Sequence, residues 1–166
     1  AGAIITSNGS FTSLSRELND NRSPVSNHFL GLAIDLSGRG GPGMHNPDTD
    51  IYVVVPDPDA YGKWIVYARA IRGADLTLNA ATYDNPNGGV TTSGRFINLT
   101  DIFARHGFTG ISAREEFFSG SRSASPEWWH FESVSSLQRR ATTFGEALSL
   151  VRSPEEINRS QAVPFL

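Results

Sequence analysis

The chain has 166 residues, of which 39% are hydrophobic and 19% charged, and its formal net charge at pH 7 is -3. This composition excludes a largely disordered chain, and the length predicts one globular domain over residues 1–166. The negative charge argues against nucleic acid as a partner, since phosphate binding needs a basic surface. No apolar run is long enough to span a bilayer.

The residue types available for metal binding are restricted. The chain has no cysteine, so disulfides, cysteine-based zinc sites and thiol nucleophiles are excluded. Any transition metal must be bound through nitrogen and oxygen atoms. The imidazole donors are His28, His45, His106 and His130.

The first half of the chain predicts short strands joined by loops, with a short helix over residues 13–18. Apolar, β-branched and aromatic residues predict strands over residues 3–5, 32–36, 51–55 and 64–71. The alternation over residues 32–36 directs Asp35 away from the core. Residues 37–50 are rich in glycine and proline and predict a long loop after this strand.

The second half predicts further short elements. They are a loop over residues 83–94, a helix over residues 101–105 capped by Thr100 and closed by Gly107, and a strand over residues 128–134. Capping boxes predict two more helices, beginning after Thr143 and Ser153. Short strands and helices without a βαβ repeat indicate an α+β fold, with a central, mainly antiparallel sheet and flanking short helices.

An imidazole and a carboxylate lie at the two ends of the predicted strand at residues 32–36. His28 precedes the strand, and Asp35 lies near its end. If they converge, these two groups are good zinc ligands. The alternative is that His28 is a turn residue and Asp35 a surface carboxylate, and spacing alone favours that alternative.

A second cluster of candidate residues lies in residues 126–132. Period-two alternation predicts a core face with Trp129 and Phe131, and an accessible face with Trp128, His130 and Glu132. An aromatic core strand with one hydrogen-bonded histidine is the alternative. Glu127 is an odd number of positions from His130, so it reaches the same site only if it lies in a turn after Pro126. Glu132 is expected to orient His130, or to replace Glu127 as the base if Glu127 points away.

Together the two segments resemble the motifs of the zinc D-alanyl-D-alanine peptidases. The pattern Ser-x-His-x-x-Gly-x-Ala-x-Asp is filled from Ser26 to Asp35, and Glu-x-x-His is filled from Glu127 to His130. This family includes VanX-type dipeptidases, VanY-type carboxypeptidases and phage endolysins, with the Hedgehog domain as a structural relative. The form Glu-Trp-Trp-His is especially similar to the dipeptidase branch.

The resemblance implies a Hedgehog/D-Ala-D-Ala peptidase-like fold and a set of site residues. One zinc ion would be held by His28, Asp35 and His130, with Glu127 as general base and with Ser26 and Trp128 beside the substrate. The implied substrate is a peptidoglycan peptide or D-Ala-D-Ala, and we expect a monomer. The implied location is extracytoplasmic, either periplasmic or secreted, or phage-delivered, with the cytoplasm as the alternative.

One family feature has no clear counterpart in this chain. The family has an arginine upstream of the first histidine that stabilises the developing oxyanion. Thr12 stands where that arginine is expected, so Arg22 and Arg16 are candidates by position, each with a solvated surface charge as the alternative. This departure keeps open a second class of function, a non-catalytic Hedgehog-like zinc-binding module. Glu127 argues against that alternative, because a structural zinc ion needs no base beside it.

Overall fold

The computed structural model describes residues 6–9, 14, 25–37, 40–41, 46–118, 125–133 and 143–160. Within these residues the protein is α+β, with short helices and two small antiparallel sheets. The α+β class and the antiparallel pairing are confirmed, but the strands form two sheets instead of one central sheet. The elements predicted at residues 3–5 and 13–18 lie outside the described residues, except for Leu14, a buried turn residue.

The first sheet carries the candidate ligands. It joins four strands in the order β1-β2-β7-β6, which are Thr6–Gly9, Ala33–Ser37, His130–Glu132 and Thr109–Gly110. The strand predicted at residues 32–36 is confirmed to within one residue at each end. Strand β7 is shorter than predicted, because residues 128 and 129 form a turn before it. The register of β2 and β7 places Asp35 directly opposite His130.

The second sheet is a three-stranded meander of β3 (Tyr52–Pro56), β4 (Trp64–Ala80) and β5 (Val90–Asn98). The predicted pairing of residues 51–55 with residues 64–71 is confirmed. The prediction of a loop over residues 83–94 is wrong from Val90 onward. There β5 pairs with the end of β4 as a ribbon with many exposed side chains, so its polar residues show no core-facing alternation.

The helices are short and begin at well-formed caps. They are the 3-10 helix Asn27–Leu30 and the α-helices α1 (Leu99–Arg105), α2 (Glu115–Phe118), α3 (Phe144–Ser149) and α4 (Pro154–Asn158). Both predicted capping boxes are confirmed. The predicted cap of α1 is wrong, because Asn98 accepts the hydrogen bond from the Asp101 N–H. The Thr100 hydroxyl instead accepts from the Val66 N–H at 2.9 Å.

The main hydrophobic cluster joins the two sheets. Its buried side chains come from strands of both sheets, from α1 and α2, and from the segment before β7. A second cluster packs α3 against the 3-10 helix through Phe29, Leu30 and Leu148. Among the described residues, no helix has the length and apolar character needed to cross a lipid bilayer.

Phe131 holds strand β7 in the core, and its replacement by alanine tests this packing directly. Its side chain is 1% exposed, and its ring centroid lies 4.6 Å from that of Phe103. We expect Phe131→Ala to lower the free energy of unfolding by about 3–5 kcal/mol in urea titrations, since it leaves a cavity. The control Ile71→Ala, at a side chain 74% exposed, should change it by less than about 0.5 kcal/mol. Equal effects of the two variants would contradict this packing.

Candidate metal centre

The 3-10 helix before β2 positions His28. Its cap is Ser26, whose side-chain oxygen accepts a hydrogen bond from the His28 N–H at 3.3 Å. Gly31 ends the helix with φ of 69°, a left-handed conformation that glycine adopts without steric cost. The buried side chains of Phe29 and Leu30 anchor the helix. Ser26 therefore has a structural role here, and its predicted contact with substrate stays a prediction.

Three side chains converge on the face of the first sheet. His130 Nδ1 lies 2.9 Å from Asp35 Oδ1, and His28 Nε2 lies 3.3 Å from Asp35 Oδ2. The two imidazoles approach each other at 3.3 Å, between His28 Nε2 and His130 Nδ1. Their rings are nearly perpendicular, with an interplanar angle of 80°. The structure thus brings together the three residues that the sequence predicted as metal ligands, and such a group could hold a metal ion.

The separation between the two imidazole nitrogens fits a tetrahedral metal site. Tetrahedral bonds of ~2.0–2.1 Å place neighbouring ligand atoms roughly 3.3–3.4 Å apart. The two imidazole nitrogens are 3.3 Å apart, whereas they approach different oxygens of Asp35, at 3.3 Å from His28 and 2.9 Å from His130. Counted with one oxygen of Asp35, the three ligand atoms lie within 4.8 Å of one another. The side chains of His28, Asp35 and His130 retain exposures of 14%, 30% and 13%, so the cluster lies at the surface. Three protein ligands at an accessible position are typical of a catalytic zinc site, whereas structural sites are closed.

The electrostatics of the cluster favour a cation. Burial alone would raise the pKa of Asp35, but hydrogen bonds from His130 and His28 and their positive charge hold it well below its usual range. Burial alone would lower the pKa of His130, but hydrogen bonding and charge from Asp35, and then from Glu132, raise it above 6.5. The negative charges of Asp35 and Glu132 therefore favour a positive charge at His130.

A carboxylate and an amide orient His130 from behind. Glu132 Oε2 lies 3.4 Å from His130 Nε2, the ring nitrogen that faces away from Asp35. The side-chain amide of Asn27 donates to the same carboxylate oxygen at 2.8 Å. Such contacts hold a ligating imidazole in one tautomer and orientation. The orienting role expected for Glu132 agrees with this geometry, whereas Asn27 was missed, because only the pairing of distant segments brings it to Glu132.

Glu127 lies in the break in strand geometry that its predicted role as base requires. Its φ is 53°, and the His130 N–H donates to the Glu127 carbonyl at 3.1 Å, which closes a turn before β7. The turn is anchored by the Trp64 indole N–H, which donates to the Pro126 carbonyl at 2.6 Å. The Glu127 side chain is 14% exposed, and its Oε1 lies 3.4 Å from Nε of Arg114. Arg114 was missed because no motif surrounds it.

The predicted placement of Trp128 on the accessible face is wrong. Trp128 is 4% exposed and packs in the main cluster, with its ring 5.7 Å from that of Tyr52. Trp129, predicted to be in the core, is only partly buried. The reason is the turn at residues 128 and 129, where period-two alternation does not apply. This burial gives no support to the predicted contact of Trp128 with substrate.

The metal-ligating group does not include His106. Arg22 and Arg16, predicted by position to stabilise an oxyanion, lie outside the described residues, as do Thr12 and His45. His106 follows α1 as its C-terminal cap and is exposed.

Comparison of the chain with protein-family models, with curated proteins and with solved structures finds no match. The site is therefore characterised by its own residues. These are a His-Asp-His cluster at metal-ligating distances, a carboxylate that orients one imidazole, and a second carboxylate in the adjoining turn.

The cluster predicts binding of one metal ion per chain, and zinc serves as the test ion. Replacing His28 by alanine should weaken zinc binding by at least about 100-fold, because even residues that only orient a ligand contribute about 10–100-fold. Competition with a chromophoric chelator measures the affinity. His106→Ala is the matched control, since His106 lies outside the cluster, and it should bind zinc like the unchanged protein. Equal affinities of all three proteins would place the metal elsewhere.

Zinc affinity should fall as the pH falls. His130 must release its proton to bind a metal. Because its pKa is raised above 6.5, protons begin to compete with the metal at a pH above 6.5. Above that pKa the affinity should level off, and below it the affinity should fall about tenfold per pH unit for each displaced proton. The same chelator competition, repeated across the pH range, measures this. In Glu132→Gln, which removes one charge that raises this pKa, the fall should begin at a lower pH; an unchanged profile would contradict the assignment.

Proposed function

We propose that the protein is a zinc metallopeptidase. The observation that carries the proposal is the convergence of His28, Asp35 and His130 on an accessible surface, with one ligand atom from each within 4.8 Å of the others. The donor set of two imidazoles and one carboxylate suits zinc and leaves room for a further ligand. Supporting the proposal are the resemblance of both motifs to zinc D-alanyl-D-alanine peptidases and the turn that holds Glu127 next to β7.

Each residue has a chemical role under this proposal. When bound, zinc would polarise the scissile carbonyl and make a water molecule acidic enough to react at neutral pH. Glu127 would take the proton from the attacking water and deliver it to the leaving amine. Glu132 and Asn27 would hold His130 in the ligating orientation. The chain's own contribution is therefore a pre-arranged ligand set and a base in a fixed turn.

The proposed substrate is a D-Ala-D-Ala bond, or a related bond to a D-residue, in peptides of bacterial peptidoglycan. The support is the match of Ser26 to Asp35 and of Glu127 to His130 to the family motifs. A cell-wall substrate also favours action outside the cytoplasm, by a secreted, periplasmic or phage-delivered protein. A fold of the Hedgehog/peptidase kind is proposed on the same grounds.

Glu127 provides the direct test of catalysis. We expect Glu127→Gln to lower kcat by about 10²–10⁴ while zinc affinity is unchanged, because it removes proton transfer and leaves the ligands in place. The measurement is release of D-alanine from D-Ala-D-Ala and from an acylated D-Ala-D-Ala peptide, with zinc and with a chelator. Glu155→Gln, in the exposed first turn of α4, is the control and should retain full activity.

Two outcomes would count against the proposal. If zinc-loaded Glu127→Gln kept the kcat of the unchanged protein, Glu127 would not be the base. If the protein bound one zinc ion tightly and released no D-alanine from either substrate, the non-catalytic zinc-binding module would be favoured instead.

A further inference from the structure

A guanidinium group lies beside the proposed base. Arg114 Nε is 3.4 Å from Glu127 Oε1, and the two side chains differ sharply in exposure, 65% for Arg114 against 14% for Glu127. The carboxylate is therefore mostly enclosed while the guanidinium extends into solvent. Because the guanidinium is largely exposed to solvent, this ion pair contributes little to stability.

The backbone that carries Arg114 is held at several points. The Arg114 N–H donates to the Ser125 carbonyl at 3.1 Å, which ties it to the segment that leads into the Glu127 turn. The Arg114 carbonyl accepts from the N–H of Phe117, a fully buried residue of α2, at 2.9 Å. The preceding N–H, of Ala113, donates to the Gly62 carbonyl at 2.8 Å. The exposed guanidinium thus projects from a well-anchored backbone.

Most of the hydrogen-bonding capacity of this guanidinium is unused within the described part of the chain. Arginine has five N–H donors in a planar fork, and the contact with Glu127 uses Nε alone. The terminal nitrogens can therefore bind a second carboxylate in the bidentate geometry that arginine favours.

We propose, resting on the peptidase function above, that Arg114 binds the C-terminal carboxylate of the substrate. The base must reach the leaving amine, and in a substrate that loses one residue the terminal carboxylate belongs to that same residue. One residue spans at most ~3.6 Å, so the cation that binds this carboxylate must lie next to the base. Arg114 meets that condition. The substrate class is then a peptide with a free C-terminal carboxylate, cleaved by carboxypeptidase or dipeptidase action.

The test compares a substrate with its C-terminal amide. An acylated D-Ala-D-Ala peptide with a free carboxylate should have a higher kcat/KM than the same peptide ending in an amide. Arg114→Ala should lower kcat/KM for the acid by about 10–100-fold more than for the amide, because it removes a charged hydrogen bond to the carboxylate alone. Arg114→Lys should restore part of the preference through its charge. Arg105→Ala, at an arginine paired with Asp101 on α1, is the control and should leave the preference intact.

Binding to the metal-free protein provides a second measurement, which does not depend on turnover. D-Ala-D-Ala should bind more tightly than its C-terminal amide in NMR titrations, and Arg114→Ala should remove the difference. If Arg114→Ala lowers kcat/KM equally for acid and amide, Arg114 only positions Glu127, and carboxylate recognition is overturned. If the zinc-loaded protein cleaves neither peptide, the peptidase function fails, while Arg114-dependent binding of the acid would still support the carboxylate site.

Discussion

The antiparallel pairing of Asp35 with His130 is the constraint on which the candidate site depends. These residues are 95 positions apart in the chain, and the register of β2 and β7 brings them directly opposite each other. His28 lies in the 3-10 helix that precedes β2. The helix and β2 therefore carry His28 and Asp35, and the partner strand β7 carries His130. A register shift of one residue would turn the His130 side chain to the other face of the sheet and dissolve the cluster.

The short strand β7 keeps this register because the segment before it is fixed between the two sheets. The Pro126 carbonyl accepts from the indole of Trp64 in the second sheet, and the Trp129 carbonyl accepts from the Leu36 N–H in the first. Between these contacts the Trp128 side chain is packed in the cluster common to both sheets. Core packing and site geometry are therefore imposed by the same residues, and Glu127 is positioned by contacts on both sides of it.

The parts of the molecule that could be predicted from the sequence share a local cause. The β2 alternation, the capping boxes at Thr143 and Ser153 and the β3–β4 hairpin each follow from neighbouring residues, and the structure contains them. The resemblance of two motifs to a known family predicted His28, Asp35 and His130 as ligands, and the structure brings these three side chains together. What could not be predicted depends on distant contacts. These include the split into two sheets, the Asn27–Glu132 bond and the Arg114–Glu127 pair.

One turn explains both why Trp128 is on the opposite face from the one predicted and why Glu127 is not in the regular strand. Residues 128 and 129 form a turn, so the period-two alternation of a strand does not apply to them. Trp128 is therefore buried, and Trp129 is the more exposed of the two. The same turn is what the chain needs if Glu127 is to escape the opposite face of the strand. Pro126 is the sequence signal for that turn, and the turn includes the two tryptophans that follow it.

Glu127 is the one non-glycine residue with positive φ in the described part of the chain. A side chain in this left-handed conformation costs roughly 1–2 kcal/mol relative to the usual right-handed one, and glycine would avoid most of that cost. Glycine at position 127 would therefore lower the conformational free energy of the folded chain, but it would remove the carboxylate. If Glu127 is the base that we propose, residue 127 keeps a strained backbone in order to carry a carboxylate, as residues at functional sites often do.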